Sequence, residues 1–144
     1  MRTPAFAALP LSALLLAACS DSPAEQEEVR MEDRIEAEAD ASAAAAGSEV
    51  AALGLTEAQL LEADLVTATG EDLGDVEQVR RDTAGAVTGL VVELDDTDPD
   101  RWVTVPMDGL STRIDGDDTD IQTTMTAADL AALPDAEMKT APVT

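Results

Sequence analysis

Hydrophobic and polar residues alternate along the middle of the chain, and this pattern predicts short half-buried β-strands. The clearest strand is AVTGLVVEL, in which Leu90, Val92 and Leu94 share one face. Shorter strands are predicted at ADLVTA, DVEQVRRD, RWVTVP, STRID and DIQTTM, with turns at GEDLG, DTAG and DGDD. Val76 and Val79 are three residues apart, so we predict a β-bulge between them. Six short strands with tight turns predict a mainly β fold, either a small barrel or a sandwich.

Two short helices are predicted on either side of this β region. LTEAQLLEA begins with a possible capping box between Thr56 and Gln59. MTAADLAAL repeats the arrangement with Thr126 and Asp129, and Pro134 ends that helix. We expect these short helices to flank the strands.

Residues 19–54 form an acidic segment rich in Ala and Glu. The sequence SPAE carries three helix-start signals, and Gly47 is a suitable helix end. Met31, Ile35 and Ala39 recur every four residues, but so narrow an apolar stripe is too thin to build a core. We predict a partly helical or disordered tether; a helix that pairs with a partner is the alternative.

The only cysteine, Cys19, ends an uncharged apolar run that begins after Arg2. A basic start and a short apolar run predict a secretory signal peptide, residues 1–18, that is too short to span a membrane comfortably. The sequence LAAC at its end resembles the bacterial lipobox. This resemblance implies that Cys19 is lipidated after cleavage and anchors the chain to a membrane. Ser20 then favours the periplasmic face of the outer membrane.

Composition excludes several functions. The 144 residues carry a formal charge of −23 and include no histidine. Such an acidic chain repels nucleic acid. Without histidine, Cys19 has no general base to activate it, and no serine triad can form. Carboxylate pairs are too numerous to mark a catalytic site, so we predict a protein that is not an enzyme, with no cofactor and no small-molecule substrate.

Four short motifs occur in a fixed order between Ala63 and Pro134. They are a Gly-Glu-x-Leu-Gly turn at 70–74, an Asp-x-x-Gly turn at 82–85, a Gly-Leu-Val-Val strand at 89–92 and a Val-Pro-x-x-x-Leu segment at 105–110. In this order they resemble the PRC-barrel family. The resemblance implies a small, mostly antiparallel β-barrel that docks onto other proteins rather than catalysing a reaction.

The resemblance completes the predicted organisation of the chain. A PRC-barrel domain spans residues 55–135 and a disordered tail spans residues 136–144. The family also occurs in photosynthetic reaction centres and in a ribosome maturation factor, but a chain exported by a lipobox signal fits neither setting. We therefore predict a lipid-anchored envelope protein that serves as an interaction or structural module.

An apolar spot is predicted on the outside of the β domain. Val91 points to the opposite face of its strand from Leu90 and Val92. Trp102 likewise points to the opposite face of its strand from Val103. We expect the chain's own short helices to cover this spot, through leucines at positions 60, 61, 130 and 133. The alternative cover is a protein partner or a second copy of the chain, with Trp102 as the anchor.

Two acidic loops are weak candidates for a calcium site. The first has the spacing that begins an EF-hand loop, but Arg101 and Met107 stand where that loop needs Gly and Glu. Solvated turns that protect strand edges explain the same acids. Divalent-cation binding by an acidic envelope protein is the alternative function. The candidate ligands are Asp96, Asp98, Asp100, Asp115, Asp117, Asp118 and Asp120.

Overall fold

The computed structural model describes residues 22–140. The helices are α1 (Pro23–Ala46), α2 (Glu57–Leu61) and α3 (Ala127–Ala131). The strands are β1 (Val50–Ala52), β2 (Leu55–Thr56), β3 (Asp64–Val66), β4 (Asp72–Arg81), β5 (Val87–Leu94), β6 (Trp102–Pro106), β7 (Ser111–Asp115) and β8 (Asp118–Gln122). The predicted signal peptide and Cys19 lie outside the described residues, and so do residues 141–144.

Six strands form one sheet in the order β6-β5-β4-β3-β8-β7, and β1 pairs with β2 separately. The prediction of a mainly β fold with about six strands is confirmed. Among residues 22–140, no pairing between β6 and β7 closes this sheet into a barrel. The described fold is therefore an open six-stranded sheet with short helices.

One strand pair differs from the predicted antiparallel arrangement, because β3 and β8 are parallel. The other neighbours in the sheet are antiparallel. Those pairings imply that β6 and β7 run in the same direction, so the short link between them does not reverse the chain. Four reversals then separate β3 from β8, and an even number of reversals makes two strands parallel.

Most local signals of the sequence are confirmed, but the GEDLG turn is wrong: Asp72–Gly74 belong to β4, and the turn precedes them, with the Gly70 N–H donating to the Thr67 carbonyl oxygen over 2.9 Å. The register of β4 against β5 shifts between Val76 and Gln78, which is the predicted bulge. In the turn after β4, the Gly85 N–H donates to the Asp82 carbonyl oxygen over 3.0 Å. Both predicted capping boxes are present, at the N-termini of α2 and α3. These features depend only on neighbouring residues, so the sequence is sufficient to predict them.

One face of the sheet carries the main hydrophobic core. Helices α2 and α3 close this core by inserting Leu60 and Leu130, which are 0% and 1% exposed. Burying a leucine side chain contributes about 2 kcal/mol, so both short helices are held by packing rather than by their own propensity. The central strands supply Leu65, Leu90, Val92, Val103, Val105 and Ile121.

Helix α1 differs from the predicted tether. It is continuous over 24 residues, begins with a Ser22–Glu25 capping box and contacts both α2 and β4. Ile35 is 1% exposed, so the apolar stripe that we judged too thin does bury a residue. The physical reason is that the helix needs no core of its own when it packs one side chain against an existing domain. Among the described residues, no helix is both long and apolar enough to cross a membrane.

Residues 136–140, which we predicted as part of a disordered tail, bind along the sheet. The Ala136 N–H donates to the Trp102 carbonyl oxygen over 2.7 Å. Gln78 is 4% exposed, and its amide accepts from the Lys139 N–H over 3.1 Å and donates to the Lys139 carbonyl oxygen. A buried amide needs hydrogen-bond partners, and the backbone of this C-terminal segment supplies them.

Candidate functional site

Val91, a predicted partner-binding residue, is fully buried within the chain. It lies opposite Gln78 in the β4–β5 register, and Gln78 binds the backbone of Lys139 on the same face. The C-terminal segment therefore lies on the face of the sheet to which Val91 points. The cover that we predicted first is wrong, because the leucines of the short helices belong to or pack against the inner core.

Trp102, the other predicted partner-binding residue, is half-buried at the start of β6. Its indole Nε1–H donates to the Glu93 carboxylate over 3.1 Å. With Pro99 and Ala136 it forms an open depression of about 570 Å3 that Asp98 also lines. An aromatic ring that combines exposed area with a fixed hydrogen bond is a suitable anchor for a partner.

The predicted acidic ligands do not form one site. Among residues 22–140, only Glu32, Glu93 and Asp100 bring three carboxylates close together, with one oxygen from each within 4.8 Å of the others. Asp100 is the only one of the seven predicted candidates in this group. The pKa of Asp64 is raised by burial first and then by a hydrogen bond with Asp75. The negative charge of Asp118 contributes to the same shift.

The remaining predicted ligands lie in loops or at the ends of β7 and β8 and do not converge. Asp96, Asp98, Asp115, Asp117 and Asp118 are exposed, and Asp120 is half-buried in β8. Glu32 was not predicted because that residue was assigned to the tether. Glu93 was not predicted because one glutamate in a strand carries no motif, although its antiparallel neighbour is Trp102.

A groove of about 530 Å3 lies between α1 and the outer face of the sheet. Seven of its thirteen lining residues are acidic, six are apolar and none is basic. The acids come from α1, α2, β4 and β5: Glu32, Glu36, Asp40, Glu62, Asp75, Glu77 and Glu93. The apolar side chains are Ile35, Ala39, Ala43, Ala58, Leu61 and Val76.

Burial, followed by the charges of neighbouring acids, raises the pKa of two carboxyl groups in this groove. Burial raises the pKa of Glu93 to about 7, and the charges of Glu77 and Asp100 act in the same direction. The hydrogen bond from Trp102 opposes this shift. Burial also raises the pKa of Glu77, followed by the charges of Asp75 and Glu36. The groove therefore holds acids that favour protonation or a cationic neighbour.

The raised pKa of Glu93 predicts that the folded state loses stability as pH rises. Unfolding returns the pKa to about 4.5, so the folded protein binds this proton more tightly. The contribution of Glu93 to stability is present below pH 4.5, falls as pH rises to about 7, and is constant above that. We expect Glu93→Gln, which stays neutral, to be more stable than wild type at pH 8 and to lose this advantage towards pH 5.

The urea midpoint at pH 5, 6, 7 and 8 measures this difference. Glu71→Gln removes an exposed carboxylate outside the groove and controls for the loss of one charge. A difference between wild type and Glu93→Gln that is equal at all four pH values would contradict the prediction.

Arginines in the β domain serve the fold rather than a basic surface. Arg101 donates to the carbonyl oxygens of Ala131 and Leu133, both over 3.1 Å, and so holds the end of α3. Each of the four arginines in the domain donates to a backbone carbonyl oxygen. The other three acceptors are Glu137 for Arg80, Gly85 for Arg81 and Ala68 for Arg113.

No protein-family model matches this chain, and no curated protein is significantly similar to it. The resemblance to PRC-barrel proteins therefore depends on the four sequence motifs alone.

Proposed function

We propose that this protein is a non-enzymatic, lipid-anchored envelope protein whose β domain binds another protein. The observation that carries the proposal is the half-buried Trp102 in an open, partly apolar depression beside Pro99 and Ala136. The chain covers Val91 itself but leaves this second part of the predicted apolar spot accessible. Aromatic residues in such depressions are the commonest anchors of protein interfaces.

We further propose that the fold is an open variant of the PRC-type barrel. Two observations support this. The free edge of β6 forms a bridge from Val103 to Asp135, and α3 places Leu130 in the core just before that bridge. The chain after β8 therefore returns to β6, the strand at the opposite end of the sheet. Three of the four motifs also lie in the turn or strands predicted for them, and the first contributes the left-handed Gly70 and the start of β4.

The partner surface is tested by photocrosslinking in cells. A photoreactive residue replaces Asp98, which is exposed and lines the depression. The matched control position is Ile114, which is 77% exposed on β7 at the other end of the sheet. We expect a discrete adduct from position 98 that Trp102→Ala reduces, and none from position 114. A self-adduct from position 98 would assign the surface to a second copy.

Circular dichroism must show that Trp102→Ala still folds, and Trp102→Phe is the milder variant that keeps an aromatic ring. Equal adducts from both positions, or no adduct from position 98, would contradict the proposed surface.

The membrane anchor is tested separately. We expect the wild-type protein to incorporate an alkyne-labelled fatty acid and to fractionate with outer membranes. Cys19→Ser removes the thiol to which the lipid is attached, so it should lose the label and run as the uncleaved precursor. Incorporation of label into the Cys19→Ser protein would contradict lipidation at this residue.

Divalent-cation binding is the second candidate function, and the group of Glu32, Glu93 and Asp100 favours it. Carboxylate oxygens are the ligands that Ca2+ prefers, and a bound ion would stabilise the fold by mass action. We expect a specific site to raise the melting temperature more with Ca2+ than with Mg2+, and Glu32→Gln to abolish the difference. Equal shifts with both ions would indicate diffuse screening.

A further inference from the structure

The C-terminal segment, residues 136–140, lies on the outer face of the sheet as an extended peptide lies in a binding cleft. Its first contact is at β6, where the Ala136 N–H donates to the Trp102 carbonyl oxygen over 2.7 Å. Its last contact is at α1, where the Arg34 guanidinium donates to the Thr140 hydroxyl over 2.7 Å. The segment therefore crosses from the β6 edge of the sheet to the helix.

Two side chains of β4 bind the backbone of this segment in matching steps. The Arg80 guanidinium donates to the Glu137 carbonyl oxygen. Two residues further along the segment, the Gln78 amide accepts from the Lys139 N–H over 3.1 Å and donates to the Lys139 carbonyl oxygen. The segment thus runs antiparallel to β4. Both side chains recognise backbone groups, which every polypeptide carries.

The segment itself contributes little buried surface. Its half-buried residues alternate along the chain, and none of its five side chains is buried. A terminal segment without buried apolar side chains opens at a small fraction of the free energy of global unfolding. Gln78, in contrast, is 4% exposed, and a buried amide that loses its partners destabilises the fold. These contacts favour the exchange of one backbone for another over an unoccupied surface.

We propose that an extended segment of the partner protein binds Gln78 and Arg80 in place of residues 136–140, which compete with it. This inference rests on the proposed function, because Ala136 also lines the depression at Trp102. Release of the C-terminal segment joins that depression to the surface over Gln78, so the two form one continuous interface.

The C-terminal segment also indicates the chemistry of the partner segment. Its half-buried residues are Ala136, Met138 and Thr140, at alternate positions as in a β-strand. The partner segment that fits is therefore extended and carries a small, an apolar and a hydroxyl side chain at alternate positions.

A peptide probe tests the proposal on the full-length protein in detergent. The probe is the fluorescently labelled peptide Asp-Ala-Glu-Met-Lys-Thr, the sequence of residues 135–140. Lys139→Pro removes the N–H that Gln78 accepts and leaves the binding surface unchanged. Lys139→Ala removes the same charge but keeps this N–H. It is therefore the matched control.

We expect Lys139→Pro to bind the probe about tenfold more tightly than Lys139→Ala or the wild type, as measured by fluorescence anisotropy. In the latter two proteins, the attached segment competes at an effective concentration in the millimolar range. The same probe with proline in place of lysine should not bind, because it lacks the N–H that Gln78 accepts.

A second variant shows that the probe occupies this surface. Gln78→Met combined with Lys139→Pro should lose the gained affinity, because methionine has a similar volume but no amide. Arg80→Met combined with Lys139→Pro repeats the test at the other contact if Gln78→Met fails to fold. The melting temperature shows which variants are folded.

Crosslinking in cells connects this surface to the partner. Lys139→Pro should increase the yield of the adduct from position 98, whereas Lys139→Ala should leave it unchanged. An unchanged yield in both variants would overturn the competition between the C-terminal segment and the partner.

Two further results would overturn the proposal. One is equal affinity of Lys139→Pro and Lys139→Ala for the probe, or full binding in the double variant with Gln78→Met. The other is a wild-type dimer that Lys139→Pro abolishes, which would assign the surface to the C-terminal segment of a second copy.

The failure of this inference can be distinguished from the failure of the proposed function. An adduct from position 98 without probe binding would overturn this inference alone. Probe binding without any adduct would contradict the proposed function and still support exchange of the C-terminal segment.

Discussion

Gly74→Ala is expected to destabilise the fold by about 3 kcal/mol or more, which lowers the melting temperature by roughly 15 °C. Gly74 lies in β4 with a φ of +146°, a conformation that is almost restricted to glycine. A Cβ atom at this position would lie 1.9 Å from the Glu93 carbonyl oxygen in the neighbouring strand. Because the obstacle is backbone, β4 and β5 must separate where Gly74 faces Leu94.

Gly85→Ala is the matched control for this prediction. Gly85 also has a left-handed backbone, with a φ of +86°, but a Cβ atom there has no neighbour within 4 Å. We expect it to cost only about 1 kcal/mol, the strain of the backbone alone. Thermal melts of both variants separate the strain of the backbone from the clash with the neighbouring strand. Equal losses of stability in the two variants would contradict the expected clash at Gly74.

Arg81→Met is expected to destabilise the fold by about 3 to 5 kcal/mol, because it leaves a charge buried without its partner. Glu57 is 1% exposed at the start of α2, and its carboxylate accepts from the Arg81 guanidinium over 2.6 Å. The Ser42 hydroxyl of α1 donates to the other carboxylate oxygen. This group therefore joins α1, α2 and β4 around one buried anion.

Removing the charge of Glu57 is expected to destabilise the fold less than removing Arg81. The Arg81 side chain is 32% exposed, so it reaches water when Glu57→Gln removes the charge, and the amide keeps a hydrogen bond with Ser42. We expect a loss of about 1 to 2 kcal/mol. Arg113→Met, which breaks a single 3.2 Å bond to Ala68, controls for removing an arginine. Urea titration at pH 7 ranks the three variants, and an equal loss from Arg81→Met and Glu57→Gln would contradict the argument.

Local features of the sequence predicted local structure well. The capping pairs Thr56–Gln59 and Thr126–Asp129 are confirmed because each depends on residues three positions apart. The bulge near Val76 is confirmed because a strand that loses strict alternation needs an extra residue to keep both valines on the core side. Alternation in β5 likewise placed Leu90 and Val92 in the core.

Contacts between residues that are distant in sequence could not be predicted from local patterns. The burial of Ile35 depends on a groove that exists only once β4 and α2 are in place. The hydrogen bonds between Gln78 and the backbone of Lys139 join residues that are 61 positions apart and carry no apolar signal. The cluster of Glu32, Glu93 and Asp100 combines a helix, a strand and a loop. Each acid is ordinary among 31 acidic residues, so only folding distinguishes these three.

The docking of α1 has a consequence for how an anchored molecule moves. Ile35 fixes the helix to the domain about 20 Å from its first residue, at the rise of an α-helix. In a molecule anchored at Cys19 as proposed, α1 and the domain would therefore move together above the lipid surface. The docked helix would then limit the angles at which Trp102 can meet the proposed partner.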